Sequence, residues 1–450
     1  MSPISLLFAT IGMFTPLAEA GGPECLTPTV LDLRGGRALA THPFMVESPP
    51  YLGFPPAVRP GPPVAKEVYG GAYESSIETE NFLVTWWDPA IDPAAGEAAA
   101  EALESAWQAF VVEQGWPQPV SSDRYLLWVL LDPELSGTGY TAEYFTDEYP
   151  EGYPVMWLEP SWAVQPDFWA ALAAHEFMHT IQYGMRNPDP GGAGEPWYWE
   201  ASATWSSQLA FPDNEGFQYA SEWYASAPEL RFDTVNAGHE YGLFVLNAHL
   251  DENSPGTMQA VWNLAAERPG VAWDELLAAA TGQDAGQVWG EFTGRYGNRL
   301  LANSRLYTDP RLDGPASDGA TGNLDKLAST FLEVQEEGRI RVEGPAILGA
   351  SDGAGTEVNV SPGQILSVTA TEDAAVWTLS LLPPLTEDTG GEHGGGEEGG
   401  EQDQEEVESN PGPEGEVSKG PENSCAHTQA PVSALMALGL ALLAFRRSRP

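Results

Sequence analysis

Ala173-Ala174-His175-Glu176-Phe177-Met178-His179-Thr180-Ile181 is the stretch on which the reading of this 450-residue chain turns. The segment is strongly helical, and the helix is expected to start near Asp167, whose carboxylate can cap the exposed first-turn amides. His175 and His179 are four residues apart, so both imidazoles project from one face. Two neutral imidazoles at that spacing can hold one Zn2+ at about 2.0–2.1 Å each. Glu176 cannot comfortably join them as a ligand, but it can reach a water on the metal as its base. The competing reading is a pair of hydrogen-bonded histidines, partly buried on an amphipathic helix.

A hydrolytic zinc site needs three protein ligands and one open position. Three residues past His179 stands Gln182, and no third histidine follows, so the HExxHxxGxxH pattern of the metzincins is absent. Downstream lies Glu195-Pro196-Trp197-Tyr198-Trp199-Glu200-Ala201-Ser202-Ala203-Thr204-Trp205, a second helix with proline in its first turn. Glu200 stands 21 residues past His179, across a loop rich in Pro and Gly. Glu200 could be a solvated helix acid, but its neighbours Trp199 and Trp205 argue for partial burial, and Ala203 and Thr204 are small enough to let two helices approach. Glu195 is the rival ligand, outside the helix body, and Asp189 reads as a turn residue.

Together these two helices resemble the gluzincins, the thermolysin-like clan of zinc metallopeptidases, in which a Glu on the next helix completes the site. The resemblance spans roughly Phe82 to Leu301 and is specific at the two helices. Neither the Asn-Glu-x-x-Ser-Asp pattern of thermolysin itself nor the Gly-x-Met-Glu-Asn pattern of the aminopeptidases is present. The resemblance implies Zn2+ on His175, His179 and Glu200, with Glu176 as general base and a polypeptide as substrate. It also implies an oxyanion donor from the downstream helices. Gly238-His239-Glu240-Tyr241-Gly242 offers Tyr241 first and His239 second; a purely structural helix-start cluster is the other reading. A non-catalytic surface binding or adhesion protein on the same scaffold, and a zinc hydrolase acting on other bonds, remain open at this stage.

The expected fold class is α+β: a zincin-like core with a mixed sheet, then a helical subdomain, then a small β-module. Phe82–Trp87, Tyr125–Leu131 and Pro154–Leu158 read as strands, and Ala98–Gln114 as a helix stopped by Gly115. The last of these strands, just before the catalytic helix, is the expected edge for pairing with an extended peptide. The peptidase domain is placed at 71–314 and the β-module at 324–384, where Val358, Val360, Leu366, Val368, Trp377 and Leu379 alternate with polar residues. Gly349-Ala350-Ser351-Asp352-Gly353 matches G-x-S-x-G but is followed by a strand, not the helix a nucleophile elbow requires. His42 and His249 have no partner legible in the sequence, and His393, in the acidic spacer, reads as solvated rather than as a ligand.

Charge bounds the partners. The formal net charge is -46, so nucleic acid and anionic membrane surfaces would repel the chain. Cys25 and Cys425 lie at opposite ends and form no C-x-x-C pair. Residues 1–20 carry an apolar run ending in Ala18-Glu19-Ala20, a secretory signal in outline although no basic residue precedes the run. Residues 21–70 form a Pro-rich arm. Residues 386–424 are Gly- and Glu-rich with almost nothing apolar, the composition of a disordered spacer. Residues 425–450 end in an apolar stretch followed by Arg446, Arg447 and Arg449. With Ser424-Cys425 before it, this tail resembles the MYXO-CTERM sorting tail of myxobacterial surface proteins. That resemblance implies export, processing near Cys425 and display on the cell surface or release, with membrane contact through the tail alone.

Overall fold

The computed structural model describes residues 75–383, except 124, 136, 145–152, 186–195, 217–218 and 236–237. The expected signal, arm, spacer and sorting tail, both cysteines, His42, His393, Asp189 and Glu195 all lie outside the described residues. Among those described, no helix is long and apolar enough to cross a membrane.

Five strands build the first sheet: β1 (Ser75–Glu78), β2 (Phe82–Trp86), β3 (Leu127–Leu131), β4 (Gly139–Tyr144) and β5 (Tyr153–Leu158). Their order is β1-β2-β3-β5-β4. β2, β3 and β5 run parallel, while β1 and β4 are antiparallel to their neighbours at the two edges. The three parallel strands are buried along their whole length, which is why each reads as an unbroken apolar run. The pleat sorts their side chains cleanly. Phe82, Val84, Leu127, Val129, Met156 and Leu158 enter the main core, and Leu83, Trp128, Leu130, Val155 and Trp157 pack on the other face. The strand expected to form the exposed edge, β5, is instead interior, paired on both sides. β4 holds the edge.

Two helices sit on the first face of this sheet. α1 (Pro93–Trp107) is the crossover between parallel β2 and β3. It begins earlier than the apolar pattern implied, because Asp92 accepts from the amide of Ala94 and Pro93 opens the first turn. A wider π-turn, Gln108–Glu113, extends it to Gly115, whose φ of +71° ends the helix. α2 (Pro166–Gly184) carries the histidines. Asp167 lies within its first turn but does not cap it: the cap position is Gln165, without a side-chain bond.

A helical region follows: α3 (Pro196–Ala210), α4 (Ala220–Ser226), α5 (His239–Gly242), α6 (Phe244–Asn253), α7 (Thr257–Glu267), α8 (Trp273–Thr281) and α9 (Ala285–Gly297). Its interior is aromatic, with Trp197, Tyr198, Trp262, Trp273 and Trp289 fully buried. The architecture is therefore α+β, with a mixed sheet.

Nine further strands, from β6 (Leu312–Pro315) to β14 (Ala375–Leu382), form a five-stranded and a four-stranded sheet around a separate apolar core. These sheets take in Leu312–Pro315 and Thr321–Leu324, short edge strands with no alternation to betray them. α9 lies on this module through glycines. A Cβ on Gly294 would fall 2.5 Å from the carbonyl oxygen of Ala350, and one on Gly349 would fall 2.1 Å from that of Gly290. The first glycine of the G-x-S-x-G run is thus a packing residue, and Ser351 accepts a hydrogen bond from Gln364 at 2.7 Å.

Overpacking here should be costly. Gly294→Val is expected to destabilise the protein by about 3 kcal/mol in urea unfolding. Gly355→Ala, where the nearest neighbouring atom is 3.5 Å away, should change it by less than about 0.5 kcal/mol. Equal losses in the two variants would contradict this account of the helix–sheet contact.

Candidate metal centre

From Ala171 to Tyr183 every residue of α2 is buried. A helix covered on all sides has no solvated face for its polar residues, so each must find a partner inside the protein. α3 supplies most of them by packing along α2. Ser207 donates to the carbonyl of Ala171 at 2.8 Å, and small Ala203 and Ser206 keep the helices close. Near the other end, the Gln182 amide donates to the Trp199 carbonyl at 3.1 Å and faces the Ser202 hydroxyl at 2.9 Å.

This packing brings Glu200, with no solvent exposure, against the two histidines. One carboxylate oxygen lies 3.0 Å from His175 Nε2 and the other 3.4 Å from His179 Nε2. The two Nε2 atoms are 3.1 Å apart. A tetrahedral site with ligands at about 2.0–2.1 Å has edges of about 3.3 Å. The three observed separations are therefore edges of the size a zinc site requires, and the donor set of two imidazoles and a carboxylate suits that ion. These are the described residues whose ligand atoms converge in this way.

Gln182 settles the tautomer of His179. Its amide nitrogen faces the Trp199 carbonyl, which can only accept, so its oxygen faces His179 Nδ1 at 2.7 Å. Nδ1 then carries a hydrogen, and Nε2 is the ring atom that faces the centre and would bind a metal there. In the sequence Gln182 registered only as a missing metzincin histidine; its role depends on which main-chain carbonyl α3 offers.

The electrostatics favour a cation at this point. Burial alone would raise the Glu200 carboxyl, but the charge of His179 and hydrogen bonds from both histidines overcome it and hold the group at about 2. Burial works against charge on His179, yet Glu200, then Glu176 and Gln182, raise it above its ordinary value.

Glu176 meets β4. Its Oε2 lies 2.8 Å from the hydroxyl of Thr141, and its charge is felt by His179. Tyr241 and His239 share the short helix α5 but part company. Tyr241 lines a cavity of about 40 Å³ with His175, Phe168, Leu172, Thr204 and Tyr219. The Tyr241 ring centroid stands 6.1 Å from that of His175. His239 packs on Tyr224 at 5.8 Å instead, and burial pushes it down to about 4, so it is neutral at physiological pH. His249 does have a partner: the Asn253 amide lies 3.0 Å from its Nδ1.

Residues 65–281 match a family described as a family of unknown function (DUF6055). The match takes in α2, α3 and α5 and ends before α9 and the nine further strands. No curated protein matches the chain.

Two outcomes follow for metal binding. Gln182→Leu should weaken zinc affinity about 10- to 100-fold in competition with a chromophoric chelator. Because His179 must lose its raised proton to bind, zinc affinity of the wild-type protein should rise as pH increases from 6 to 8. A pH-independent affinity would contradict proton–metal competition at this centre.

Proposed function

We propose that the protein is an exported, surface-tethered zinc metallopeptidase with a zincin-like core, of the gluzincin type, that cleaves polypeptides. The observation that carries this reading is the buried convergence of His175 Nε2, His179 Nε2 and the Glu200 carboxylate at edge lengths of 3.0–3.4 Å. Glu176, beside His175 in the chain and near enough for its charge to act on His179, adds to it.

Bound by these three residues, Zn2+ would supply a Lewis acid that acidifies water and polarises a carbonyl. Glu176 would accept the proton of the attacking water and deliver it to the leaving amine. Tyr241 is the favoured oxyanion donor over His239, because it lines the cavity beside His175 whereas His239 turns to Tyr224. β4, the antiparallel edge strand next to Glu176, is where an extended substrate would add by main-chain pairing. This transfers to β4 the role first expected of β5. The net charge of -46 disfavours nucleic acid as partner. Export and tethering rest on the apolar run ending at Ala20 and on the Cys425-to-Arg449 tail, both outside the described residues.

The test pairs zinc content with casein cleavage in the purified protein. About one zinc per chain is expected, lost in Glu200→Ala. Glu176→Ala should keep the zinc while cleavage falls at least about 100-fold. Full cleavage by Glu176→Ala would sink the mechanism. Zinc binding without cleavage by wild type would favour the surface binding protein.

A further inference from the structure

Gly139 and Thr141 are two residues apart on β4, so they face the same way, toward α2. Both meet Glu176. A Cβ on Gly139 would stand 2.8 Å from Glu176 Oε1 and 3.0 Å from the Trp157 carbonyl oxygen, so the carboxylate occupies the space a larger residue would fill. The Thr141 hydroxyl lies 2.8 Å from Glu176 Oε2 and 2.9 Å from the main-chain carbonyl oxygen of the same residue. Tyr183, two turns further along α2, donates to the Thr141 carbonyl at 3.2 Å and ties the strand to the helix at that point. Thr141 and Glu176 are both fully buried.

A hydroxyl has one proton to donate and lone pairs with which to accept. Placed between a carboxylate and a carbonyl oxygen, it can serve Glu176 in either ionisation state. When Glu176 is ionised, Thr141 donates to Oε2. When Oε2 carries a proton, that proton is donated to Thr141 Oγ1, and the threonine turns its own hydrogen to the Glu176 carbonyl, an acceptor in all circumstances. No heavy atom need move, and the threonine proton never leaves its oxygen.

We infer that Thr141 is a positioning residue for the proton-transfer base: a hydroxyl rotor that keeps Glu176 hydrogen-bonded both as carboxylate and as acid. The inference rests on the peptidase reading above and adds a residue to it. During turnover the base gains a proton from water and gives it to the leaving amine. A buried carboxyl that lost its partner at either stage would pay the cost of an unmade hydrogen bond there. Thr141 removes that cost from both stages while Gly139 leaves the carboxylate room.

The test uses the zinc-loaded full chain and compares Thr141→Val, Thr141→Ala and Thr141→Ser with wild type. Two quantities are read: steady-state cleavage, and the infrared carboxylate band of Glu176 isolated by difference against Glu176→Gln. In Thr141→Val, kcat should fall about 10- to 100-fold, the loss expected when a hydrogen bond to a charged group disappears, with KM and zinc content unchanged and the band displaced. Thr141→Ala, smaller and free of new contacts, should repeat that result if the valine variant folds poorly. Thr141→Ser should restore kcat to within about threefold of wild type, together with the native band position. An unmoved band in Thr141→Val and Thr141→Ala would overturn the hydrogen-bond assignment, whatever the activity. A displaced band with unchanged kcat would overturn the positioning role and leave the peptidase reading intact. A serine variant as slow as valine would assign the effect to the threonine methyl and overturn the rotor. Zinc-loaded wild type that cleaves nothing, yet shows the band displaced on Thr141→Val, would overturn the peptidase reading and the catalytic part of the inference, while the hydrogen bond stood.

Discussion

A carboxylate with no solvent exposure, facing two imidazoles at 3.0 and 3.4 Å, is the constraint around which the rest of the structure is arranged. An unpaired charge at that depth would be prohibitively costly, so an ionised Glu200 needs a cationic partner, which the facing histidines or a metal ion can supply. Its position requires α3 to lie close along α2, which the small Ser202, Ala203, Ser206 and Ser207 permit. It also requires the ends of the contact to be fixed. Ser207 bonds α2 at Ala171, and Gln182 bonds α3 at Trp199 and Ser202 while orienting His179. One side chain thus joins the helices and sets a ligand's tautomer, which couples the packing of the core to the chemistry of the centre.

The sheet serves the same centre from the opposite side. Parallel β2, β3 and β5 give α1 and α2 an apolar floor, and Phe177 anchors α2 there by stacking on Trp107 and Phe110 and meeting Phe82 edge-on. β4 then closes the sheet antiparallel, with Gly139 and Thr141 against Glu176. The proposed ligands come from α2 and α3, the proposed base meets a strand, and Tyr241 arrives from a separate short helix. His175, Glu176 and His179 share α2, while Glu200, Thr141 and Tyr241 come from α3, β4 and α5, so rigid elements hold the cluster, the arrangement that preorganised sites need.

Local signals in the sequence carried far. The i, i+4 histidines, Glu200 after the Pro196 turn, the three buried strands and the α+β class were all legible, because each depends on residues near one another in the chain. What was not legible depends on topology. Gly139-Tyr140-Thr141-Ala142 shows little of the apolar run that marks its neighbours, and nothing local says that it crosses to the far side of β5. Hence the sequence alone points to β5 as the edge. Asp167 suits a cap by residue type, but the helix begins one residue before it, at Pro166. Thr141 and Gln182 are ordinary polar residues until the fold shows which carboxylate and which imidazole they meet. Leu312–Pro315 joins the sandwich as an edge strand without any periodicity of its own. Residue chemistry could thus be read from spacing, while edges, second partners and module borders required the three-dimensional arrangement.

The most direct measurement of the central claim is peptide-bond hydrolysis followed through removal and return of zinc in a single preparation. The account predicts that cleavage disappears on chelation and returns in proportion to added zinc, saturating at about one ion per chain. Cleavage that survives complete removal of the metal would contradict it, as would a protein that takes up its zinc at this centre and leaves every polypeptide offered to it intact.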